Sequence, residues 1–157
     1  MEIFLIRHAH ALDHVNDVAR PLSPKGRTQV KRLARFLRAS GAFAPAEIWH
    51  SPLVRAGQTV ELLVQRLELA VPVRAVAGLA PGDDPRVMAR RLAATQKPVA
   101  LVGHEPHLSA LATLLVTGEA EPPVFELRKC SGLALERATA RWVVRWQISS
   151  ELLGRKS

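Results

Sequence analysis

Short apolar runs alternate along the chain with longer stretches whose apolar residues recur at helical spacing. The clearest run, residues 3–6, is continuous and ends at a polar pair, which is typical of a strand buried on both faces. Similar runs follow at 48–49, 71–76 and 99–102. Because a helical stretch separates each run from the next, the pattern predicts an α/β domain with a mostly parallel central sheet.

Serine and proline mark the starts of the predicted helices. The Ser-Pro pairs at 23–24 and 51–52 each offer a serine as N-cap and a proline at the first helical position. Pro106 opens a further helix, and a modest one is predicted over 86–95. Gly41 is placed to end the first helix, because glycine readily adopts the left-handed conformation that follows a last helical turn.

The last third of the chain predicts two strands and no further domain. Residues 133–135 and 142–148 are expected to form strands, joined as a hairpin through 137–140. No internal repeat, low-complexity segment or linker interrupts the sequence. We therefore predict a single domain over 1–150, with 151–157 as a loose C-terminal tail.

Composition restricts the class of protein. Hydrophobic residues make up 48% of the 157 residues and charged residues 23%, as in folded globular domains. The single cysteine, Cys130, excludes a disulfide framework and a cysteine-based zinc site, and it fits a reducing compartment. Neither a signal peptide nor an apolar stretch of about 18 residues, the length of a membrane span, is recognised. The expected location is the cytoplasm, with no membrane partner.

The formal net charge of +8 suits an anionic partner. We do not expect that partner to be a nucleic acid. Aromatic residues, which could stack on bases, reach only 4% with no tyrosine, and no DNA-binding motif occurs. The basic residues of the first predicted helix are interpreted as a solvated face or as a docking surface for an acidic protein. They are Lys25, Lys31, Arg32, Arg35 and Arg38.

Two of the apolar runs lead into a histidine. His8 follows the first run, with Arg7 before it, and His104 follows the run at 99–102. Because the carboxyl ends of parallel strands share one edge of a sheet, where α/β proteins bind ligands, we expect both histidines there. Arg55 lies in the first turn of a predicted helix, where a cation opposes the helix dipole unless an anion binds beside it. These residues predict a phosphoryl pocket.

Four segments resemble, in order, the motifs of the histidine phosphatase superfamily, which includes the phosphoglycerate mutases. They are LIRHA at 5–9, RPLS at 20–23 with Gly26 and Gln29, SPLVRA at 51–56 with Gln58 and Thr59, and VGHEP at 102–106. The last of them is similar to the corresponding segment of the short SixA-type phosphohistidine phosphatase branch. Ala9 departs from the glycine of the wider superfamily, but alanine is still small enough to let the backbone approach a phosphate.

The resemblance implies a three-layer α/β/α sandwich of the phosphoglycerate mutase type and a phosphatase that needs no metal or other cofactor. It assigns His8 as the nucleophile, which becomes a phosphohistidine. It also assigns Arg7, Arg55 and a protonated His104 to the phosphoryl oxygens. Such a ring of cations can supply most of the catalysis of phosphoryl transfer. Its positive charge would also repel a metal ion, which argues against a metal site built on the histidines.

Arg20 is a further candidate for substrate binding, because its segment follows the nucleophile. A structural salt bridge to Asp13 or Asp17 is the alternative for this residue.

The proton donor is the ambiguous part of the predicted site. Asp83, which we assign to substrate binding, and Asp84 lie in the loop 78–85, where aspartates are also ordinary turn residues. Glu105 is the other candidate. An alkyl phosphate leaves as an alkoxide and needs an acid, whereas phosphohistidine leaves as an imidazole that can carry its own proton. A weak or missing acid therefore favours phosphohistidine as substrate.

The favoured function is metal-independent removal of phosphate from a protein phosphohistidine. A small-molecule phosphomonoesterase with the same core is the alternative among enzymes. A binding module for phospho-anions or phosphoproteins, without turnover, is the alternative outside them. The expected partner is accordingly a phosphorylated protein or a small phosphorylated molecule.

Overall fold

The computed structural model describes residues 1–139 and 141–154, which form six strands and four helices. The strands are β1 (Glu2–Arg7), β2 (Glu47–His50), β3 (Val73–Ala75), β4 (Val99–Gly103), β5 (Gly132–Arg137) and β6 (Trp142–Ile148). The helices are α1 (Pro24–Ser40), α2 (Val54–Leu67), α3 (Pro85–Ala93) and α4 (His107–Thr117). The elements predicted along the chain are thus present, with boundaries that differ by a few residues.

The strands form one sheet in the order β3-β2-β4-β1-β5-β6. The first four of these are parallel, whereas β5 is antiparallel to β1 and β6 to β5. The register places Leu5 of β1 between Leu101 of β4 and Leu133 of β5. The predicted mostly parallel sheet is confirmed, and β1 and β4 lie side by side at its centre.

Helices cover both faces of the sheet. Phe4 and Ile6 of β1 belong to a core shared with α1 and α2, whereas Ile3 and Leu5 belong to a second core shared with α3 and α4. Successive side chains of a strand point to opposite faces, so a strand between two helical layers is apolar throughout. The predicted three-layer α/β/α sandwich is confirmed.

The start of α1 agrees with the prediction. The Gly26 N–H donates to the Ser23 hydroxyl at 3.0 Å, and Gly41 ends the helix with a φ of 64°. Gly26 has no room for a side chain, because a Cβ there would collide with the carbonyl oxygen of His10. The first turn of α1 therefore packs directly on the segment that follows β1.

The predicted serine cap of α2 is wrong. This helix begins at Val54, and Leu53 occupies the N-cap position without a side-chain hydrogen bond. The Ser51 Oγ instead lies 2.6 Å from Nε2 of His104 and accepts the Leu53 N–H at 3.2 Å. Ser51 therefore belongs to the carboxyl edge of the sheet rather than to the helix.

The C-terminal part of the chain forms the edge strand β6 and then a short turn. The hairpin predicted over 137–140 includes Ala140, which lies outside the described residues. Ser150–Leu152 form a 3-10 turn, after which Leu153 packs against the core of α1 and α2. Residues 155–157 of the predicted tail also lie outside the described part. Across the described helices, none combines the length and apolarity needed to cross a membrane.

Candidate active site

The carboxyl edge of the sheet brings the two predicted histidines together. Arg7 at the end of β1 is in register with Gly103 at the end of β4, and a histidine follows each of them. The His8 N–H donates to the Gly103 carbonyl oxygen at 3.0 Å. The rings of His8 and His104 lie 4.9 Å apart between centroids and are inclined by 52°. The two strand ends thus place both histidines in one site.

His8 is held as a neutral ring with one free nitrogen. Its Nδ1 lies 2.7 Å from the Ala9 carbonyl oxygen. Because a carbonyl oxygen only accepts hydrogen bonds, Nδ1 carries the proton and Nε2 keeps its lone pair. His8 is only 5% exposed, and its burial is the largest cause that lowers its pKa from 6.5 to about 3. The ring is therefore uncharged at neutral pH, the form in which imidazole is nucleophilic.

Residues of the other recognised segments hold the backbone that follows His8. The Ala9 N–H donates to the Thr59 hydroxyl at 3.0 Å, and the His10 N–H donates to the Gln29 side-chain oxygen at 2.8 Å. The φ angle of Ala9 is not positive. Alanine is therefore unstrained at the position where the wider superfamily carries glycine.

Two arginines flank the histidines and keep unused donors. Arg7 Nη1 donates to the Leu127 carbonyl oxygen at 3.0 Å. Arg55 Nη1 donates to the Asp17 carbonyl oxygen at 2.9 Å, and its Nη2 lies 3.4 Å from the Asp17 carboxylate. The Nε of each arginine is buried and has no partner among the described residues. Burial lowers the pKa of both groups, but a guanidinium remains charged at neutral pH.

His104 differs from its predicted protonated state. It is 1% exposed, and burial, followed by the charge of Arg55, lowers its pKa from 6.5 to about 4. The ring is therefore neutral at pH 7, and an anion bound beside it would raise the pKa. Its Nδ1 is buried without a partner among the described residues, while Nε2 faces the Ser51 Oγ. The Ser51 hydroxyl accepts the Leu53 N–H and keeps both its own proton and a second lone pair, so it can either donate to Nε2 or accept from it.

Arg20 makes the structural contacts that were its predicted alternative. Its Nη1 lies 3.4 Å from the Asp17 carboxylate, and its Nη2 lies 4.0 Å from that of Asp13. Its Nε donates to the Leu12 carbonyl oxygen at 3.1 Å. Asp17 therefore links Arg20 to Arg55, and these two cations lower the pKa of its carboxyl group. A role for Arg20 in substrate binding remains a prediction.

The two aspartates of the loop 78–85 make turn and cap contacts. The Asp83 carboxylate accepts the Ala80 N–H at 2.9 Å. Asp84 is the N-cap of α3 and accepts the Arg86 N–H at 2.9 Å. Both side chains thus have the ordinary function of turn aspartates. The assignment of Asp83 to substrate binding remains a prediction.

Glu105 is also engaged by its neighbours. Its carboxylate accepts the Ser109 N–H at 2.8 Å in the first turn of α4 and the Leu127 N–H at 3.2 Å, and it contacts the Ser109 hydroxyl. Leu127 is the residue whose carbonyl oxygen holds Arg7. Glu105 therefore fixes the backbone that positions Arg7, and each of its carboxylate oxygens has a partner.

Two residues near the site were missed as site residues by the sequence reasoning: Ser51 beside His104, and Lys129 beside Arg7. Ser51 lies in a recognised segment, so its motif could have marked it, but we interpreted it as a helix cap. Lys129 is half-buried before β5, and after burial itself the charge of Arg7 is the largest cause that lowers its pKa. No motif marks this lysine.

The site can accept and hold a phosphoryl group. The Nε2 of His8 can attack phosphorus, while the spare donors of Arg7 and Arg55 and the His104 ring can hold oxygens that gain charge. Within residues 1–139 and 141–154, no three His, Cys, Asp or Glu side chains are grouped so as to hold a metal ion.

Known proteins match this chain in sequence. Residues 3–80 match the sequence model of the histidine phosphatase superfamily (branch 1). The phosphohistidine phosphatase SixA of Escherichia coli (strain K12) is 30% identical over 154 residues, which cover 95% of this chain and 94% of that protein.

Solved structures share the fold over almost the whole chain. The protein histidine phosphatase SixA complexed with tungstate has a TM-score of 0.86 and 25% identity, covering 98% of this chain and 100% of that one. The α-ribazole phosphatase from Shigella flexneri has a TM-score of 0.78 and 17% identity, covering 96% and 97%. Given the identity to the Escherichia coli relative across nearly its full length, the chain belongs to the histidine phosphatase superfamily, in its SixA-type branch, and is a phosphatase.

Proposed function

We propose that this phosphatase removes phosphate from a phosphohistidine on a protein, without a metal ion, through a phosphohistidine intermediate on His8. The Nε2 of His8 attacks phosphorus, and the bond between phosphorus and the substrate imidazole breaks, with its electron pair passing to the leaving nitrogen. The His8 Nδ1–H remains hydrogen-bonded to the Ala9 carbonyl oxygen, and this hydrogen bond stabilises the positive charge on the new phosphohistidine. Water then attacks phosphorus, which releases inorganic phosphate and restores His8.

The cationic groups around His8 have distinct roles in this proposal. Arg7 and Arg55 hold the phosphoryl oxygens through their guanidinium groups, which carry more N–H donors than their hydrogen bonds within the protein use. His104 donates a further hydrogen bond from Nδ1 and is protonated more readily once the dianion is bound. Charge that develops in the transition state thus meets donors that are already in place, which is the main requirement for phosphoryl transfer.

The observation that carries the choice of substrate is the engagement of the candidate acids. Asp83, Asp84 and Glu105 each accept backbone N–H groups in turn or cap positions, so each has a structural partner and none is identified as the acid that a leaving alkoxide would need. A substrate phosphohistidine whose other ring nitrogen is protonated departs as neutral imidazole and needs no such acid. The name of the Escherichia coli relative supports the same substrate. A cytoplasmic location fits the buried free thiol of Cys130.

A small-molecule phosphomonoesterase is the second candidate, because the α-ribazole phosphatase shares the fold. The decisive experiment measures phosphate release in EDTA from a phosphohistidine peptide, an aryl phosphate and an alkyl phosphate. His8→Ala is compared with His14→Ala, which removes an exposed histidine. We expect the phosphohistidine peptide to have the highest kcat/KM, His8→Ala to lose about 10³-fold or more, and His14→Ala to stay near the wild type.

The other outcomes decide between the alternatives. A higher kcat/KM for the alkyl phosphate would favour the phosphomonoesterase. Full activity of His8→Ala would contradict the assigned nucleophile, and wild-type protein that hydrolyses none of the three compounds would favour the binding module. Loss of activity in EDTA that zinc or magnesium restores would contradict the metal-independent route.

A further inference from the structure

A basic cleft of about 710 Å³ opens beside the phosphoryl site. Arg7 lines it, whereas its other cationic residues come from two separate parts of the chain. Lys25 and Arg32 lie on α1, and Arg128 and Lys129 lie in the turn before β5. Arg7 thus connects the basic cleft with the histidines.

The turn that carries Lys129 is anchored to the nucleophile segment. The Ser131 N–H donates to the Arg128 carbonyl oxygen at 3.1 Å and closes the turn, and Cys130 adopts a positive φ of 55°. The Cys130 N–H donates to the carbonyl oxygens of Arg7 at 3.0 Å and His8 at 3.1 Å. Lys129 is therefore held by the same backbone that positions the nucleophile.

A second contact fixes the other side of the turn. The Ser150 hydroxyl donates to the Lys129 carbonyl oxygen at 2.7 Å. The 3-10 turn of Ser150–Leu152 and the Lys129 turn thus form adjacent walls of the basic cleft. The position of the lysine backbone is set by hydrogen bonds on both sides.

The charges in the basic cleft are not balanced by the protein that surrounds them. Arg128 pairs with Glu151 at 3.3 Å. In the described ranges, 1–139 and 141–154, neither Lys25 nor Arg32 nor Lys129 has a carboxylate within 4.0 Å. Unpaired like charges in one cleft repel each other, and a bound anion relieves that repulsion. Lys129 is half-buried, so it is screened by water less than a fully exposed lysine would be.

We propose that the basic cleft is a second anion subsite, in which Lys129 binds a carboxylate or phosphate group that the substrate carries close to its scissile phosphoryl group. The inference rests on the proposed function, because it needs Arg7 to hold the phosphoryl group. In a protein substrate the second anion is an acidic side chain near the phosphohistidine. In a small molecule it is a second acidic group on the same compound. Lys25 and Arg32 supply the opposite wall.

The test compares matched substrates that differ in one negative charge. One pair consists of phosphohistidine peptides flanked by Asp or by Asn, and the other consists of a carboxyphenyl phosphate and phenyl phosphate. Lys129→Met removes the charge in the basic cleft, and Lys97→Met removes one from an exposed site before β4, at the opposite edge of the sheet. Thermal unfolding of each variant confirms that it is folded.

We expect wild-type enzyme to prefer the acidic member of a pair by about three- to tenfold in kcat/KM, through a lower KM. Lys129→Met is expected to bring this ratio close to one, and Lys97→Met to preserve it. A preference in the peptide pair identifies an acidic side chain as the second anion, and a preference in the aryl pair alone identifies a small acidic compound. Both outcomes support the subsite, and the preference should shrink as salt is added.

Three results would overturn the proposal. They are the absence of a preference in both pairs, a preference that survives Lys129→Met, and an equal loss of the preference in Lys97→Met. Failure of the proposed function is distinguishable, because it removes turnover of both peptides while the aryl pair still tests the subsite.

Discussion

Arginines at the two edges of the sheet are held in opposite ways. At the amino edge of β1, the Arg137 N–H donates to the Met1 carbonyl oxygen at 3.0 Å, and the Arg137 guanidinium lies 5.5 Å from the centre of the Trp142 ring. The same guanidinium donates to carbonyl oxygens at the end of α3, at 3.0–3.2 Å. They belong to Leu92, Ala93 and Thr95. At the carboxyl edge, Arg7 and Arg55 each keep a buried Nε without a partner among the described residues.

The difference lies in which groups supply the acceptors. Arg137 donates to carbonyl oxygens at and just beyond the C-terminus of α3, where a helix lacks some of its backbone donors, so the protein satisfies the arginine and supports the helix end. The arginines beside His8 leave donors for which the described protein has no acceptor, and an unsatisfied buried donor lowers stability. Hydrogen-bond satisfaction therefore separates Arg137, whose donors meet protein acceptors, from Arg7 and Arg55, which we propose bind a ligand.

Among the changes that test this contrast, the largest expected effect comes from Arg7→Met. Removal of the guanidinium that we propose contacts the phosphoryl group should lower kcat/KM by about 10²–10³-fold, because a preorganised donor is lost from the transition state. The free energy of unfolding should change by no more than about 1 kcal/mol, since the variant loses one hydrogen bond and one unsatisfied donor together. Steady-state kinetics and urea unfolding measure the two quantities. A large loss of stability with normal kinetics would show that Arg7 is structural.

The neutral histidines at the carboxyl edge should make stability depend on pH. Burial lowers the pKa of His8 to about 3 and of His104 to about 4, whereas a histidine in the unfolded chain titrates near 6.5. Below about pH 6.5 the unfolded chain binds protons that the folded protein does not, so stability is full above this pH and falls toward pH 4.

Each of these two histidines should lower the free energy of unfolding by about 1 kcal/mol between pH 7 and 5.5, or about 2 kcal/mol together. Urea unfolding across that range measures the slope. His8→Ala and His104→Ala should each remove a share of about 1 kcal/mol, whereas His107, whose pKa burial also lowers, stays in both variants and keeps its own contribution. Slopes equal to that of the wild type in both variants would mean that the two rings titrate in the folded protein as they do in the unfolded chain.

The converse of the Arg7 experiment is Arg137→Met at the other edge. Loss of its bonds to the end of α3 should lower the free energy of unfolding by about 1.5 kcal/mol, because carbonyl oxygens near a helix C-terminus lose a cation. We expect kcat/KM to stay within about twofold of the wild type, since the residue lies far from the histidines. Thermal unfolding and steady-state kinetics give both values. A loss of activity without a loss of stability would remove the contrast between the two edges.

The sequence predicts what depends on pattern and misses what depends on contact. Apolar runs ending at His8 and His104 predict the central strands and their shared edge, because a buried strand is a run of consecutive apolar residues. Ser51 was misassigned, since a serine before a proline looks the same whether it caps a helix or contacts a distant histidine. Lys129 approaches Arg7 only through a turn that packs against the end of β1, and no local pattern encodes that approach.

The smallest effect we expect is that of Ser51→Ala, which tests how His104 is positioned. We expect the Ser51 hydroxyl to donate to Nε2, which would keep the ring proton on Nδ1, the nitrogen without a partner among the described residues. Without the hydroxyl, either nitrogen can carry the proton, so kcat/KM should fall by about tenfold.

The ring nitrogen shifts of His104 in an NMR spectrum separate this role from a purely structural one. They should report a proton on Nδ1 in the wild type and a mixture of tautomers in Ser51→Ala. Ser40→Ala, which removes a hydroxyl at the end of α1, should leave both the shifts and kcat/KM unchanged. If Ser51→Ala lowers activity while Nδ1 keeps its proton, the serine supports the backbone rather than the tautomer. Packing, rather than a hydrogen bond from Ser51, would then determine which ring nitrogen of His104 carries the proton.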